Sequence, residues 1–396
     1  MKNFIFISPN FPSNYWKFCR ELQNNGVRVL GVGDEPYDCL TADLKGSLTE
    51  YYKVSNLENY DEVFRAVAFF TFKYGKIDYI ESNNEYWLER DALLRTEFNI
   101  STGFKKTDVK KIKFKSAMKT YYKKAGVKTA RHCIAKSLAV CEKFINQVGY
   151  PVIVKPDNGV GASDTHKLCD GEQLKAFFKN KPKKVSYIME EFIDAEVNSY
   201  DAIIDSKGSP IFETGNVTPK SLMDVVNTGD SCLYYIVNQL SDDVRKLGRK
   251  TVKAFKVKSR FVHFEFFRLL SDQHIGKKGE VVALEVNMRP AGGITPDMMN
   301  YANSTNVFKI WADMIAYDSS LVAVGEKYFC AFAGRRDGVE YAYSEQDIVD
   351  RFGANIKIIQ RVPDVLAGTM GNIMYIANFT TKKELDEFYS EVTQIR

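Results

Sequence analysis

Two short segments late in the chain constrain its fold more than any other feature: Phe261-Val262-His263-Phe264-Glu265-Phe266-Phe267 and Val281-Val282-Ala283-Leu284-Glu285-Val286-Asn287-Met288-Arg289-Pro290. Side chains of a strand alternate faces, so segments that alternate apolar with polar residues read as strands with one packed and one working side. His263 and Glu265 share a face of the first strand; Glu285, Asn287 and Arg289 share a face of the second, with Val282, Leu284 and Val286 expected behind them. Joined by a hairpin, the two strands would cup a hard cation, and magnesium is bound this way, by one or two carboxylates plus nucleotide phosphates. Alternation alone is also what any half-solvated sheet shows, so the reading depends on the rest of the chain.

At 396 residues the chain exceeds one ordinary core and is expected to form two to three domains. A composition 45% hydrophobic and 27% charged is that of a soluble globular protein. No apolar stretch approaches the roughly 18 residues of a membrane span, and Met1 to Asn10 reads as a core strand rather than a signal peptide, so no membrane partner and a cytoplasmic location are expected. Seven scattered cysteines without a CxxC pair argue against a disulfide framework and a structural zinc site. The 55 basic and 50 acidic residues give +5, too mild to demand a polyanionic partner. Locally, ten lysines fall between Lys105 and Lys128. Such a run could contact nucleic acid, which keeps a nucleotide-binding regulatory or nucleic-acid-associated protein as the alternative reading, but it more often coats a solvated helix face.

Residues 1–106 alternate strand and helix: strands at Phe4 to Ile7, Val27 to Asp34 and Ile77 to Ile80, helices at Trp16 to Asn24 and Leu57 to Tyr74, the pattern of a doubly wound α/β domain. Gly31-Val32-Gly33 is half of a dinucleotide fingerprint, with Pro36 where the third glycine belongs. A single helix is expected from a Thr107 or Asp108 cap to Gly126. Residues 107–194 then form a linker helix and a small α+β unit, with strands at Val152 to Lys155 and Val185 to Met189 around a helix at Gly171 to Asn180. The strand-rich segment 195–320 carries the two cation-cup strands, and 321–396 reads as an extension of it.

Within the small unit, Gly149-Tyr150-Pro151-Val152-Ile153-Val154-Lys155-Pro156 delivers a lysine at a strand end and runs into Asp157-Asn158-Gly159-Val160-Gly161-Ala162-Ser163-Asp164-Thr165. A loop of small residues lets backbone N–H groups approach phosphate oxygens, and the lysine adds a point charge; the Gly-Lys-Ser/Thr ending of a P-loop is absent. Tyr187 to Glu196 is an apolar strand running into acids, where Glu190 and Glu196 could meet an adenine amino group and a ribose diol beside Phe192 and Ile193.

In their order along the chain these segments resemble the ATP-grasp superfamily. The match runs through Lys115-Ser116-Ala117-Met118-Lys119 with Ala125-Gly126-Val127, the strand ending at Lys155, the loop Asp157 to Thr165, the hinge Glu190 to Ile193, and the acids at Glu265 and at Glu285, Asn287 and Arg289, covering about Asp78 to Gly293. The resemblance implies a doubly wound N-terminal domain, a small lid and a larger antiparallel-sheet domain. It further implies an ATP- and magnesium-dependent ligase, with manganese as a substitute, that activates a small carboxylate as an acyl phosphate for attack by an amine, giving an amide with ADP and phosphate. A carboxylase or carbamoyl-phosphate relative fits less well, because the biotinylation signal and the duplicated synthetase unit are missing.

By the same resemblance Lys115 and Lys155 would contact the α and β phosphates, and the loop of Gly159, Gly161, Ala162 and Ser163 would close over the γ phosphate. Glu190, Glu191, Phe192, Ile193 and Glu196 would hold the nucleoside, Glu265, Glu285 and Asn287 the metal. Arg289, with Lys155, would stabilise charge on the transferred group. Glu85 in Ser82-Asn83-Asn84-Glu85, His263, and the turn at Gly292 and Gly293 are the substrate-facing candidates. The partners implied are amino-acid-like acids and amines; oligomeric state is left open. The loop's two glycines, where the family has a longer run, and the long polar hairpin from Leu269 to Glu280 depart from the family pattern.

Overall fold

The computed structural model describes residues 1–159, 164–219 and 230–396. Its first sheet is parallel, with β1 (Asn3–Ile7), β2 (Arg28–Gly33), β3 (Glu50–Lys53) and β4 (Tyr79–Glu81) in the order β3-β2-β1-β4. β1 is buried along its whole length and apolar from Phe4 to Ile7 because both of its faces are covered. Ile5 and Ile7 pack with Val63, Val67 and Phe70 of the helix Tyr60–Tyr74. On the other face Phe4 meets Trp311 edge-on at 5.6 Å, and Phe18 of the helix Trp16–Asn24 meets Phe308 at 4.7 Å. Phe308 and Trp311 belong to the helix Val307–Tyr317, so a late segment of the chain closes the first sheet and welds it to the large one. Gly33 is explained by packing rather than by a dinucleotide: a Cβ there would lie 2.5 Å from the Tyr51 hydroxyl.

The small unit is an antiparallel sheet of β5 (His132–Ile134), β6 (Val152–Pro156), β7 (His166–Leu168) and β8 (Tyr187–Glu191), ordered β5-β8-β6-β7. The helices Leu138–Val148 and Gly171–Asn180 cover it through Phe144, Ile145, Leu174 and Phe177. The described residues place nine further strands in one sheet: β9 (Ala195–Ile204), β10 (Pro210–Thr214), β11 (Asn216–Thr218), β12 (Leu233–Ile236), β13 (Arg260–Leu269), β14 (Val281–Asn287), β15 (Phe329–Arg335), β16 (Ile356–Arg361) and β17 (Ile373–Phe379). The order is β14-β13-β9-β11-β12-β15-β17-β16, with β10 on β9, so the strands after residue 321 continue the sheet that carries the acids.

Two expectations need correction. The linker is not one helix: a turn at Lys106–Asp108 and a short helix Val109–Lys113 end at Phe114, whose backbone is extended, and a new helix begins at Lys115–Lys124. The break is held from the lid, because the Lys115 N–H donates to Asp157 O at 2.9 Å, the Ser116 N–H to Asp157 Oδ1 at 2.8 Å and the Ser116 hydroxyl to Oδ2 at 2.7 Å. The new helix thus gets the N-terminal acceptors it needs from another element.

Nor does β14 keep one alternation. Glu265 pairs with Glu285, but the next residue, Phe266, pairs with Ala283, so Leu284 has no counterpart in the register. A bulge of this kind turns the strand over by one residue. Val286 and Ala283 therefore pack together in the main core under β13, whereas Val282 falls on the opposite face with Ala130, Ile193 and Leu269.

Candidate active site

Three neighbouring strands at one edge of the large sheet, β14, β13 and β9, bring two rows of polar side chains onto one face. Asp201 of β9, His263 of β13 and Asn287 of β14 are in register, and in the next row stand Ser199, Glu265 and Glu285. His263 is buried between two acids, with Nδ1 at 2.7 Å from Asp201 Oδ1 and Nε2 at 3.2 Å from Glu265 Oε1. Burial pushes its pKa down, but Asp201 and Glu265 outweigh this and lift it to about 9, so the ring is a cation at neutral pH. That charge, with Arg289 and Lys155, keeps Glu265 below the usual carboxylate range despite burial. Glu285 goes the other way: burial and the facing Glu265 push it up, against the pull of Lys115. Like charges directly opposite in a sheet repel, and a divalent cation between them removes the repulsion.

Facing this pair is a set of buried lysines. Lys115 and Lys119 stand one turn apart on the same helix face, the geometry that the four-residue spacing gives. Lys115 Nζ lies 3.1 Å from Glu285 Oε1 and donates to Gly159 O at 3.3 Å, at the start of the small-residue loop. Gly159 itself is tight, since a Cβ would come within 3.1 Å of Pro156 Cβ. Lys119 reaches Glu190 Oε1 at 2.5 Å, and Lys155, at the end of β6, reaches Oε2 of the same carboxylate at 2.7 Å. Burial pushes Glu190 up, yet the two ammonium groups hold it well below the ordinary carboxylate range, and Lys155 is raised in turn, Glu190 and Glu285 outweighing its burial.

The other expected positions are spread around this centre. Glu191 points to the opposite face of β8, where Arg131 grips it through its backbone N–H at 2.7 Å and Nε at 2.7 Å. Phe192 lies under the Lys167 ammonium at 4.2 Å. Ile193 joins the apolar cluster with Ala130, Leu269 and Val282, while Glu196 accepts from Asn198 Nδ2 at 3.1 Å. Gly161, Ala162 and Ser163 lie outside the described residues. Arg289 donates to Pro290 O at 2.8 Å and stands 3.7 Å from Glu85, which also pairs with Lys113 at 3.0 Å. Gly293, with φ +60°, lets the turn after Arg289 double back, and its carbonyl accepts from Asn14 Nδ2 at 3.1 Å.

Sequence reasoning missed several of these residues. Lys119 was within reach, being the second lysine of the four-residue spacing. Asp201 carried a period-two signal with Ser199 that only the neighbouring strand makes meaningful. No local signal marks Glu81, Arg95 and Arg260. Glu81 Oε2 lies 2.7 Å from Arg95, its other oxygen pairs with Arg260, and Arg260 Nη1 donates to Met288 O at 2.6 Å, so a buried ion cluster ties β4 to the residue before Arg289. The lysine run is only partly a solvated face: Lys106, Lys110, Lys123, Lys124 and Lys128 are exposed, whereas Lys113, Lys115 and Lys119 are buried in ion pairs. Among the described residues no helix is long and apolar enough to cross a membrane, and no group of three or more His, Cys, Asp or Glu side chains is gathered for a metal. A two-carboxylate site completed by an amide and phosphates is the kind magnesium uses, and Glu265, Glu285 and Asn287 supply that set.

No family model matches the chain. A phosphoribosylamine–glycine ligase of Clostridium acetobutylicum is 27% identical over 196 residues, 44% of each chain. The chain thus matches less than half the length of the first curated relatives, 44% of that one and 30% of a carbamoyl phosphate synthase large chain section of Aquifex aeolicus. Among solved structures, the L-amino acid ligase from Bacillus licheniformis superposes with a TM-score of 0.72 at 15% identity, covering 99% of this chain and 97% of that one. The biotin carboxylase domain of a Hydrogenobacter thermophilus 2-oxoglutarate carboxylase, solved with MgADP and bicarbonate, gives 0.71 at 14% identity, covering 100% and 90%. The shared architecture is the ATP-grasp fold.

Proposed function

We propose that this protein is an ATP- and magnesium-dependent ligase that activates a small carboxylate as an acyl phosphate and lets an amine displace the phosphate. The observation that carries the reading is the in-register pair Glu265 and Glu285, opposed across two strands and ringed by Lys115, Lys155 and Arg289. Phosphoryl transfer asks for little covalent chemistry from a protein; it asks for cations placed around the transferred group and for positioning.

Glu265, Glu285 and Asn287 would hold magnesium, which when bound neutralises charge on the phosphates. Lys115 and Lys155 would bind phosphate oxygens, and Glu190 keeps Lys155 and Lys119 aimed between turnovers. The apolar cluster of Ala130, Ile193 and Val282 offers faces for the base. Arg289, at the end of β14 and beside Glu85, would stabilise charge on the acyl phosphate and its tetrahedral adduct. A protein nucleophile is not needed, because the amine attacks the activated acid directly and phosphate leaves. Supporting the ligase reading are the fold shared with an L-amino acid ligase and the partial sequence match to a phosphoribosylamine–glycine ligase.

The test is a screen of acid and amine pairs, with amino acids foremost, for acceptor-dependent release of ADP and phosphate, followed by mass analysis of the product. Release of AMP and pyrophosphate alone would sink the reading.

A further inference from the structure

We propose that the crevice at the carboxyl ends of β1 and β4 is the pocket for the acid substrate, and that Glu85, Asn14 and Asn83 select a free α-amino acid there; the inference rests on the ligase reading above. In the order β3-β2-β1-β4 the chain winds outward in one direction from β1 to β3 and in the other to β4. In open parallel sheets a crevice opens at such a reversal, outside the carboxyl ends of the strands, and ligands bind there. Both lips are shaped for close approach: Ser8, just after β1, has φ +54°, and Asn83, just after β4, has φ +51°.

A closed ring of contacts places these lips against Arg289. The Tyr15 hydroxyl donates to Asn83 O at 2.7 Å, Asn14 Nδ2 donates to Gly293 O at 3.1 Å, and Glu85 Oε2 faces Arg289 Nε at 3.7 Å. Three buried side chains in this ring keep a polar atom without a hydrogen-bond partner: Asn14 Oδ1 (residue 8% exposed), Asn83 Nδ2 (4%) and Glu85 Oε2 (5%). The orientation of Asn14 is settled, because its Nδ2 is taken by Gly293 O and by Asp297 Oδ2 at 2.6 Å, which leaves the oxygen free to accept. Buried polar atoms of this kind are seldom left unpaired, and three on the segments that this ring joins point to a ligand that pairs them.

Their chemistry defines the ligand. Two acceptors, one of them a carboxylate, suit an ammonium group with its three donors, and the single amide donor suits a carboxylate oxygen. A 3.7 Å separation between Glu85 and Arg289 puts opposite charges side by side, as the ammonium and carboxylate of an α-amino acid are. Ammonium on Glu85 and Asn14 therefore brings the carboxylate to Arg289, the residue next to the phosphoryl end. Lys113 already holds Glu85 Oε1 at 3.0 Å, but an acid without the ammonium would leave Glu85 Oε2 and Asn14 Oδ1 buried without a hydrogen bond, and sites built around a hydrogen-bonding group reject analogues lacking it by orders of magnitude.

The full chain, without nucleotide, is titrated with a pool of proteinogenic L-α-amino acids and with the matched pool of 2-hydroxy acids, binding being read by saturation-transfer NMR. At least one amino acid should bind, with its hydroxy analogue about 100-fold weaker or worse. Asn83→Asp tolerates the same backbone conformation and should weaken that amino acid about tenfold or more, as should Glu85→Gln, with thermal melts confirming that both fold. Hydroxy acids that bind as well, no amino acid binding, or folded variants that bind unchanged would each overturn the pocket. A parallel ADP-release assay separates the two claims. Amino acids that bind but never trigger release keep the pocket and remove the ligase; release with simple acids and never with α-amino acids keeps the ligase and removes the pocket.

Discussion

Glu190 and Glu285 are largely buried carboxylates in the same cleft, and their surroundings drive them apart. Glu190 has two ammonium groups within 2.7 Å and is held well below the usual range; Glu285 has one, faces another carboxylate, and is pushed up. One end of the cleft is neutralised by its own side chains. At the other, Lys115 offsets only part of the charge on two facing acids, and a cation that arrives would offset the rest. That contrast separates a scaffold from a binding site more sharply than burial or residue type does, because both acids look alike on those counts.

The largest effect expected is at the unneutralised end. Glu285→Ala should lower turnover at least about 10³-fold, roughly 4 kcal/mol of transition-state stabilisation, with a smaller loss of stability than at Glu190, because the lost pairing with buried Lys115 is partly offset by the lost repulsion from Glu265. Retained magnesium-dependent activity would contradict the assignment. At the neutralised end, Glu190→Gln leaves two lysines buried without a counter-charge and should cost about 3 kcal/mol in urea denaturation. The sign with pH follows from the lowered pKa: Glu190 contributes fully above the ordinary carboxylate pKa, and its contribution is lost as pH falls through its folded value. The variant should therefore show a flatter acid limb than the native chain. A steeper limb would reverse the comparison.

Magnesium sharpens it next. At 100 times its Kd the ion should stabilise the native chain by about 2.7 kcal/mol and the Glu285→Ala variant by much less, read as a shift in Tm. Glu190→Gln should keep most of that response once its lower starting point is allowed for. Smallest is Arg289→Lys, which keeps the charge and loses the planar fork; about tenfold in kcat, near 1.4 kcal/mol, with nucleotide affinity unchanged, is the expected result of an ADP-release assay.

Much of this comparison was legible in the amino-acid order, and the limits have physical causes. Period-two alternation placed Glu265, Glu285 and Asn287 on one face because it is a property of single strands. The helix Gly171–Asn180 was readable to its ends from its periodicity. The break at Phe114 was not, because the acceptors that cap the second helix come from Asp157, more than forty residues on. The paired state of Glu190 escaped for the same reason: its two lysines come from a helix and a strand whose meeting only the folded chain defines. Glu191, beside it and identical in type, faces Arg131 instead, and only the pleat distinguishes the two.

The bulge at Leu284 sets how this site can vary. Residues before it in β14 line the apolar side of the cleft and residues after it carry the acids, and the two stretches run out of step by one position. Without Leu284 the same pairings, Glu285 with Glu265 and Val282 with Phe267, would run on in one unbroken ladder, so Val282 would keep its face toward Ala130 and Ile193. Lengthening the tip between Leu269 and Glu280 would disturb neither. A single unpaired residue thus lets Val282 and Glu285, three positions apart and so on opposite sides of a regular strand, serve the same face of the sheet.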